Sequence, residues 1–127
     1  MGEVPRLLLV DDEERILGAL RRSLRREGYE LVLARTPREA LERLEAERFD
    51  AVLSDHKMPG MTGTELLAEV ARRQPHAARV LVTGWSQDAI EDPAGAQAPD
   101  AILPKPWEDA ELKRTVRSVL ESRCASR

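Results

Sequence analysis

Five short apolar runs, at residues 7–10, 31–34, 51–54, 80–82 and 101–103, recur along the chain with amphipathic segments between them. Each run is too short for a buried helix and is bounded by charged or turn-forming residues, so each is predicted as a strand. Strand and helix patterns alternate with no internal repeat and no low-complexity tract. Alternation of this kind implies an α/β fold, with a parallel sheet covered by helices on both faces. A length of 127 residues allows one domain with a single sizeable core. The expected division is a domain over residues 1–122 and a tail or the start of a linker over residues 123–127.

The intervening segments carry helix signals. A first helix is predicted over about residues 13–27, with Ile16, Leu17, Leu20 and Leu24 on one face. Arg21, Arg22, Arg25 and Arg26 fall on the other face, and Gly28 ends the helix. Thr36-Pro37-Arg38-Glu39 opens a second helix with the features of a capping box. Thr62-Gly63-Thr64-Glu65 repeats that pattern ahead of Leu66, Leu67 and Val70. A last helix is expected over about residues 107–122, burying Leu112, Val116, Val119 and Leu120. Ser86 to Ile90 can begin a further short helix, but Pro93, Gly95 and Pro99 limit it to one or two turns. Pro104 is best accommodated if the fifth strand lies at a sheet edge, where a missing N–H is tolerated.

A net charge of −3 gives no general reason for nucleic-acid binding. No apolar stretch approaches the roughly 20 residues that span a bilayer. The N-terminus lacks the basic and long apolar regions of a signal peptide. The single cysteine, Cys124, excludes an internal disulfide and suits a reducing, cytoplasmic setting. No membrane association is therefore expected.

Polar residues with chemical potential follow four of the five runs: Asp11-Asp12, Asp55, Thr83 and Lys105. In parallel strands they would all emerge at the carboxyl ends, the edge where open α/β sheets bind ligands. Asp11 and Asp12 can hold Mg²⁺ directly or through water, with Asp55 completing the site. The alternative is that Asp12 caps the first helix and Asp11 is solvated. Asp55 is a candidate nucleophile, since aspartyl phosphates are an established covalent strategy. Mg²⁺ and Lys105 would neutralise phosphoryl oxygens, Thr83 would donate a hydrogen bond, and Gly84 would leave room beside it. Each residue alone has a structural reading; together they point to one site.

The sequence resembles the receiver domain of bacterial two-component response regulators over about residues 5–122. Leu9-Val10-Asp11-Asp12-Glu13, Ser54-Asp55-His56-Lys57-Met58-Pro59-Gly60-Met61-Thr62-Gly63, Leu81-Val82-Thr83-Gly84 and Lys105-Pro106 carry the resemblance. It implies a flavodoxin-like, doubly wound (βα)5 fold with a five-stranded parallel sheet in the order 2-1-3-4-5. It further implies that Asp55 accepts a phosphoryl group from a sensor histidine kinase or a histidine phosphotransfer protein. Asp11, Asp12, Asp55 and the backbone carbonyl of Lys57 would bind Mg²⁺, Thr83 and Lys105 would contact the phosphoryl group, and the bond before Pro106 would be cis. Such a module catalyses its own phosphotransfer and dephosphorylation but turns over no external metabolite. It signals to a downstream output domain or protein, with homodimerisation left open.

The resemblance has departures. Ile102 stands where the family often has Tyr or Phe, so a ring that moves inward on activation is replaced by an aliphatic group without a hydroxyl. Lys57 and Trp85 occupy the variable positions near the mouth of the site. Lys57 is expected to help stabilise phosphoryl charge and Trp85 to restrict the attacking water, unless both point to solvent. Trp107 either anchors the last helix or marks receivers attached to transcriptional activators and HD-type phosphodiesterases. His56 reads as a loop histidine, and the arginines of the first helix as a solvated face where kinase partners of the family dock. Three other functions compete with this one. A Mg²⁺-dependent phosphohydrolase would place a second Asp where Lys57 stands, and a flavin carrier would need a phosphate loop after the first strand. A degenerate receiver would never be phosphorylated.

Overall fold

The computed structural model describes residues 4–84 and 99–125, with side chains through residue 122. The strands are β1 (Arg6–Val10), β2 (Glu30–Ala34), β3 (Ala51–Asp55), β4 (Ala78–Thr83) and β5 (Ala101–Pro104). The helices are α1 (Glu14–Leu24), α2 (Pro37–Ala46), α3 (Gly63–Arg73) and α4 (Asp109–Ala125). All strand pairs are parallel, in the order β2-β1-β3-β4-β5. Every apolar run predicted as a strand lies in one.

Alternation along each strand divides the core into two layers. Leu7, Leu9, Leu53, Val80, Val82 and Leu103 face Leu17, Leu20 and Leu24 of α1 and Leu112, Val116 and Val119 of α4. Leu8, Val10, Val52 and Leu81 face Ala40 and Leu44 of α2 and Leu66, Leu67 and Val70 of α3. The central strands β3 and β4 are buried along their whole length, whereas edge strands β2 and β5 are only partly covered. Pro104 lies on that outer strand, as its missing N–H requires. The next N–H, from Lys105, donates to the Thr83 carbonyl at 2.9 Å.

Local signals set most helix ends. At α3 the capping box is complete: the Glu65 N–H donates to Thr62 Oγ1 at 3.1 Å, and the Thr62 N–H donates to Glu65 Oε1 at 2.9 Å. At α2 the Glu39 N–H donates to Thr36 Oγ1 at 3.0 Å, but the Glu39 carboxylate takes the N–H of Arg35, one residue before the expected one. Helix α1 ends three residues earlier than predicted, at Leu24. The Glu27 N–H turns back to the Leu24 carbonyl, and Gly28, at φ +88°, closes that turn. Helix α4 starts two residues later than predicted, at Asp109, because Trp107 and Glu108 still belong to the turn that follows the cis Lys105–Pro106 peptide. Leu120 is half-buried at its edge rather than in the core. The short helix expected near residues 86–90 lies outside the described residues, as does the side chain of Cys124.

Gln74 was not singled out by sequence, yet it joins three elements. Its amide nitrogen donates to the carbonyls of Leu44 at 2.9 Å and Glu47 at 2.7 Å, and its oxygen accepts the Phe49 N–H at 2.8 Å. The side chain is buried, so these backbone groups exchange water for Gln74 when α2 ends and β3 begins. Replacing it with Leu would strand them. Gln74→Leu is expected to lower stability by about 3 kcal/mol, read as a lower urea midpoint with an unchanged slope.

Candidate functional site

Four strand ends build one cleft. β1 delivers Asp11, whose N–H donates to the Ala34 carbonyl at 3.2 Å and whose Oδ1 accepts the Glu13 N–H at 2.9 Å. β3 ends on Asp55 and β4 on Thr83; these two and Asp11 are all buried. Lys105, just past β5, reaches across the sheet. Its ammonium donates to Asp11 Oδ2 at 2.9 Å and to Asp55 Oδ1 at 2.8 Å. The β2 run, which carries no chemical group at its end, contributes none here.

Asp12 is exposed at the mouth, and one carboxylate oxygen from each of Asp11, Asp12 and Asp55 falls within 4.8 Å of the others. The capping alternative is therefore excluded in its stated form. Glu13 occupies the N-cap of α1 without a side-chain cap bond, and Asp11 is buried rather than solvated. An opening of about 320 Å³ lies over the cluster, lined by Asp12, Glu13, Asp55, Lys57, Thr83, Gly84 and Lys105.

Charge in the cleft is unbalanced. Burial raises the Asp11 carboxyl above its ordinary range, and the nearby Asp55 charge adds to that, outweighing the Glu13 N–H and Lys105. Burial alone would lower the Lys105 ammonium, but its hydrogen bonds to Asp55 and Asp11 hold it above its usual value. Among the described residues, the three-carboxylate cluster is hydrogen-bonded by the ammonium of Lys105 at Asp11 and Asp55, with Lys57 exposed at the mouth. Three hard oxygen donors this close, with a net negative field, suit a divalent cation that prefers carboxylate oxygen.

The remaining predicted residues separate clearly. Lys57 is exposed at the mouth. A Cβ on Gly84 would come no nearer than 3.8 Å to Lys105, so the space it leaves matters only for side chains larger than Ala. Ile102 is half-buried and packs into the layer that contains Leu66 and Leu81. Pro106 forms the cis bond. Trp107 is half-buried against the α1 and α4 layer, which fits an anchor for the last helix. His56 Nδ1 lies 3.2 Å from Thr64 Oγ1, as a loop histidine tied to α3. Arg21, Arg22, Arg25 and Arg26 are all exposed. Trp85 lies outside the described residues.

Gly63 is a residue whose part sequence reasoning missed. Its N–H donates to the His56 carbonyl at 2.7 Å, pressing the start of α3 against the end of β3. A Cβ there would stand 2.2 Å from the Asp55 carbonyl oxygen and 2.8 Å from His56 Cα. The available signal was a glycine inside the first turn of a helix, where its propensity is poor.

Comparison with known proteins follows the same outline. The chain matches the response regulator receiver domain over residues 7–117. It belongs to that family. The hydrogenase transcriptional regulatory protein HoxA of Cupriavidus necator is 37% identical over 118 residues, 91% of this chain but 24% of HoxA. This receiver spans less than two thirds of the curated relatives it matches. The signal receiver domain of an HD domain-containing protein from Pseudomonas fluorescens Pf-5 superposes with a TM-score of 0.92 and 33% identity, covering 99% of this chain and 93% of that one. The response regulator TrrA of Thermotoga maritima, solved in complex with Mg(2+)-BeF, gives a TM-score of 0.82 at 32% identity, covering 91% and 99%. The predicted sheet order is the one observed. No described helix of this receiver is long and apolar enough to cross a membrane.

Two measurements check the geometry. Gly63→Ala must displace backbone rather than a flexible side chain and is expected to cost about 3 kcal/mol in urea unfolding. In Lys105→Met the cluster loses its ammonium, so divalent-cation affinity is expected to rise about tenfold by calorimetric titration, since a nearby like charge no longer opposes the cation.

Proposed function

We propose that this receiver takes a phosphoryl group onto Asp55 from a phosphohistidine on a sensor histidine kinase or histidine phosphotransfer protein. The observation that carries the reading is the Lys105 ammonium resting on Asp55 Oδ1 in a cleft bordered by Thr83. An Asp55 carboxylate oxygen attacks phosphorus, the bond to the donor's ring nitrogen breaks, and its electron pair stays on that nitrogen. Lys105 moves with the charge, from carboxylate to phosphoryl oxygen, and the Thr83 hydroxyl donates to another oxygen. Asp11, Asp12, Asp55 and the Lys57 carbonyl would hold Mg²⁺, which when bound neutralises phosphoryl charge. The Mg(2+)-BeF complex of the similar TrrA supports that assignment. Hydrolysis of the aspartyl phosphate returns the site to its starting state, so the domain is a switch rather than a metabolic enzyme.

Phosphorylation adds close to two negative charges at the ends of β1, β3 and β4 and biases an equilibrium between two conformations. Ile102 has no hydroxyl to follow Thr83, so its response is a repacking of an aliphatic group against Leu81 and Leu66. Lys57 tunes the lifetime of the phosphoryl group from the mouth of the site. The output is a domain or protein beyond these residues, as the greater length of HoxA suggests. Acetyl phosphate carrying radiolabel, supplied with Mg²⁺, is expected to label wild type and not Asp55→Asn. Undiminished label in Asp55→Asn would overturn the assignment.

A further inference from the structure

Between α1 and the chain that follows β5 lies an open groove of about 690 Å³. Ile16, Ala19, Arg22 and Ser23 line one wall, and Lys105, Pro106, Trp107 and Asp109 line the other. Lys105 therefore has carboxylates at its tip but open space along one flank, where packing does not confine it. Among the described residues, a hydrogen bond crosses this groove: Ser23 Oγ donates to Asp109 Oδ1. Asp109 is the first residue of α4, four positions beyond Lys105, and Lys113 Nζ stands 3.2 Å from its other oxygen. The Ser23 hydroxyl, and then Lys113, hold the Asp109 carboxyl below its ordinary range.

We infer that Ser23, acting through Asp109, is a positioning residue that fixes the turn carrying Lys105 and so sets the aim of its ammonium at Asp55. The inference rests on the phosphoacceptor reading of Asp55. The segment of residues 105–109 is held at its start by the Lys105 N–H on the Thr83 carbonyl and in its middle by Trp107. Its far end is held by Ser23. Releasing that end lets the turn shift into the groove, and Lys105 spreads over positions that meet a phosphoryl group less well. Small errors of placement in a charge-stabilising group slow a reaction disproportionately. Arg117 of α4 pairs with Glu27, in the turn that follows α1, at 3.2 Å and away from the site, which provides an internal control.

The test is the rate of labelling of the whole chain by acetyl phosphate with Mg²⁺. Ser23→Ala and Asp109→Ala are each expected to slow it about threefold, and the double variant no further, because the bond between them is the contact that both remove, the Asp109–Lys113 pair lying within α4. Ser23→Thr restores the rate. The Mg²⁺ dissociation constant is not raised, since the three carboxylates are untouched. Arg117→Ala, which removes the pair with Glu27 away from the site, leaves the rate at the wild-type value. Wild-type rates in Ser23→Ala, or a slowing matched by Arg117→Ala, would overturn the inference alone. Absence of label in wild type would overturn the proposed function and this inference with it.

Discussion

The ammonium of Lys105, shared between Asp11 and Asp55, is the contact on which the site depends. Without a cation between them, buried carboxylates at the ends of neighbouring strands would repel across a region that water barely reaches. The pair is held by a lysine that comes from the far edge strand, so the sheet has to be complete before the charge is compensated. Compensation stays partial, because Asp12 adds a third carboxylate at the mouth. That remainder makes the cleft receptive to a divalent cation and ties the fold directly to its chemistry.

Rigid surroundings keep these charges in place. The four site-bearing strands lie side by side, and most of their residues before the cleft are buried in two apolar layers. Gly63 lets α3 press against the backbone of Asp55, and Gln74 pins the opposite end of that layer. By contrast, the surface pair Arg38–Glu42 is formed by exposed helix neighbours and contributes little to stability. The α1 and α4 side is less filled, and the groove beside Trp107 leaves the lysine turn dependent on polar ties. Order in the site is therefore unequal: the acidic side is set by packing, the cationic side by hydrogen bonds.

Much of this was legible in the order of residues. Strand positions followed from apolar runs bounded by charge, and the start of α3 from its capping box. The site residues could be read because each sits at a strand end or within two positions beyond it, where a parallel sheet must gather them. Helix α1 is shorter than its pattern predicts, since Arg25 and Arg26 continue the helical periodicity while the backbone turns toward Gly28. The roles of Gln74 and Gly63 are not specified by such patterns, although a glycine in the first turn of α3 was a hint, and the reason is shared. Their partners are backbone atoms of other segments, and backbone leaves no mark in a residue pattern.

Sequence by itself determined the alternation of strands and helices, the cluster of acidic groups with Thr83 and Lys105, and the edge placement of Pro104. These depend on periodicity, on capping chemistry and on the missing N–H of proline, all local properties. Only the tertiary structure decided that Asp11 is buried and takes the Glu13 N–H, that Lys105 bridges it to Asp55, and that Ser23 reaches Asp109. Those contacts join residues up to 94 positions apart. Their geometry is set by how helices pack on the finished sheet.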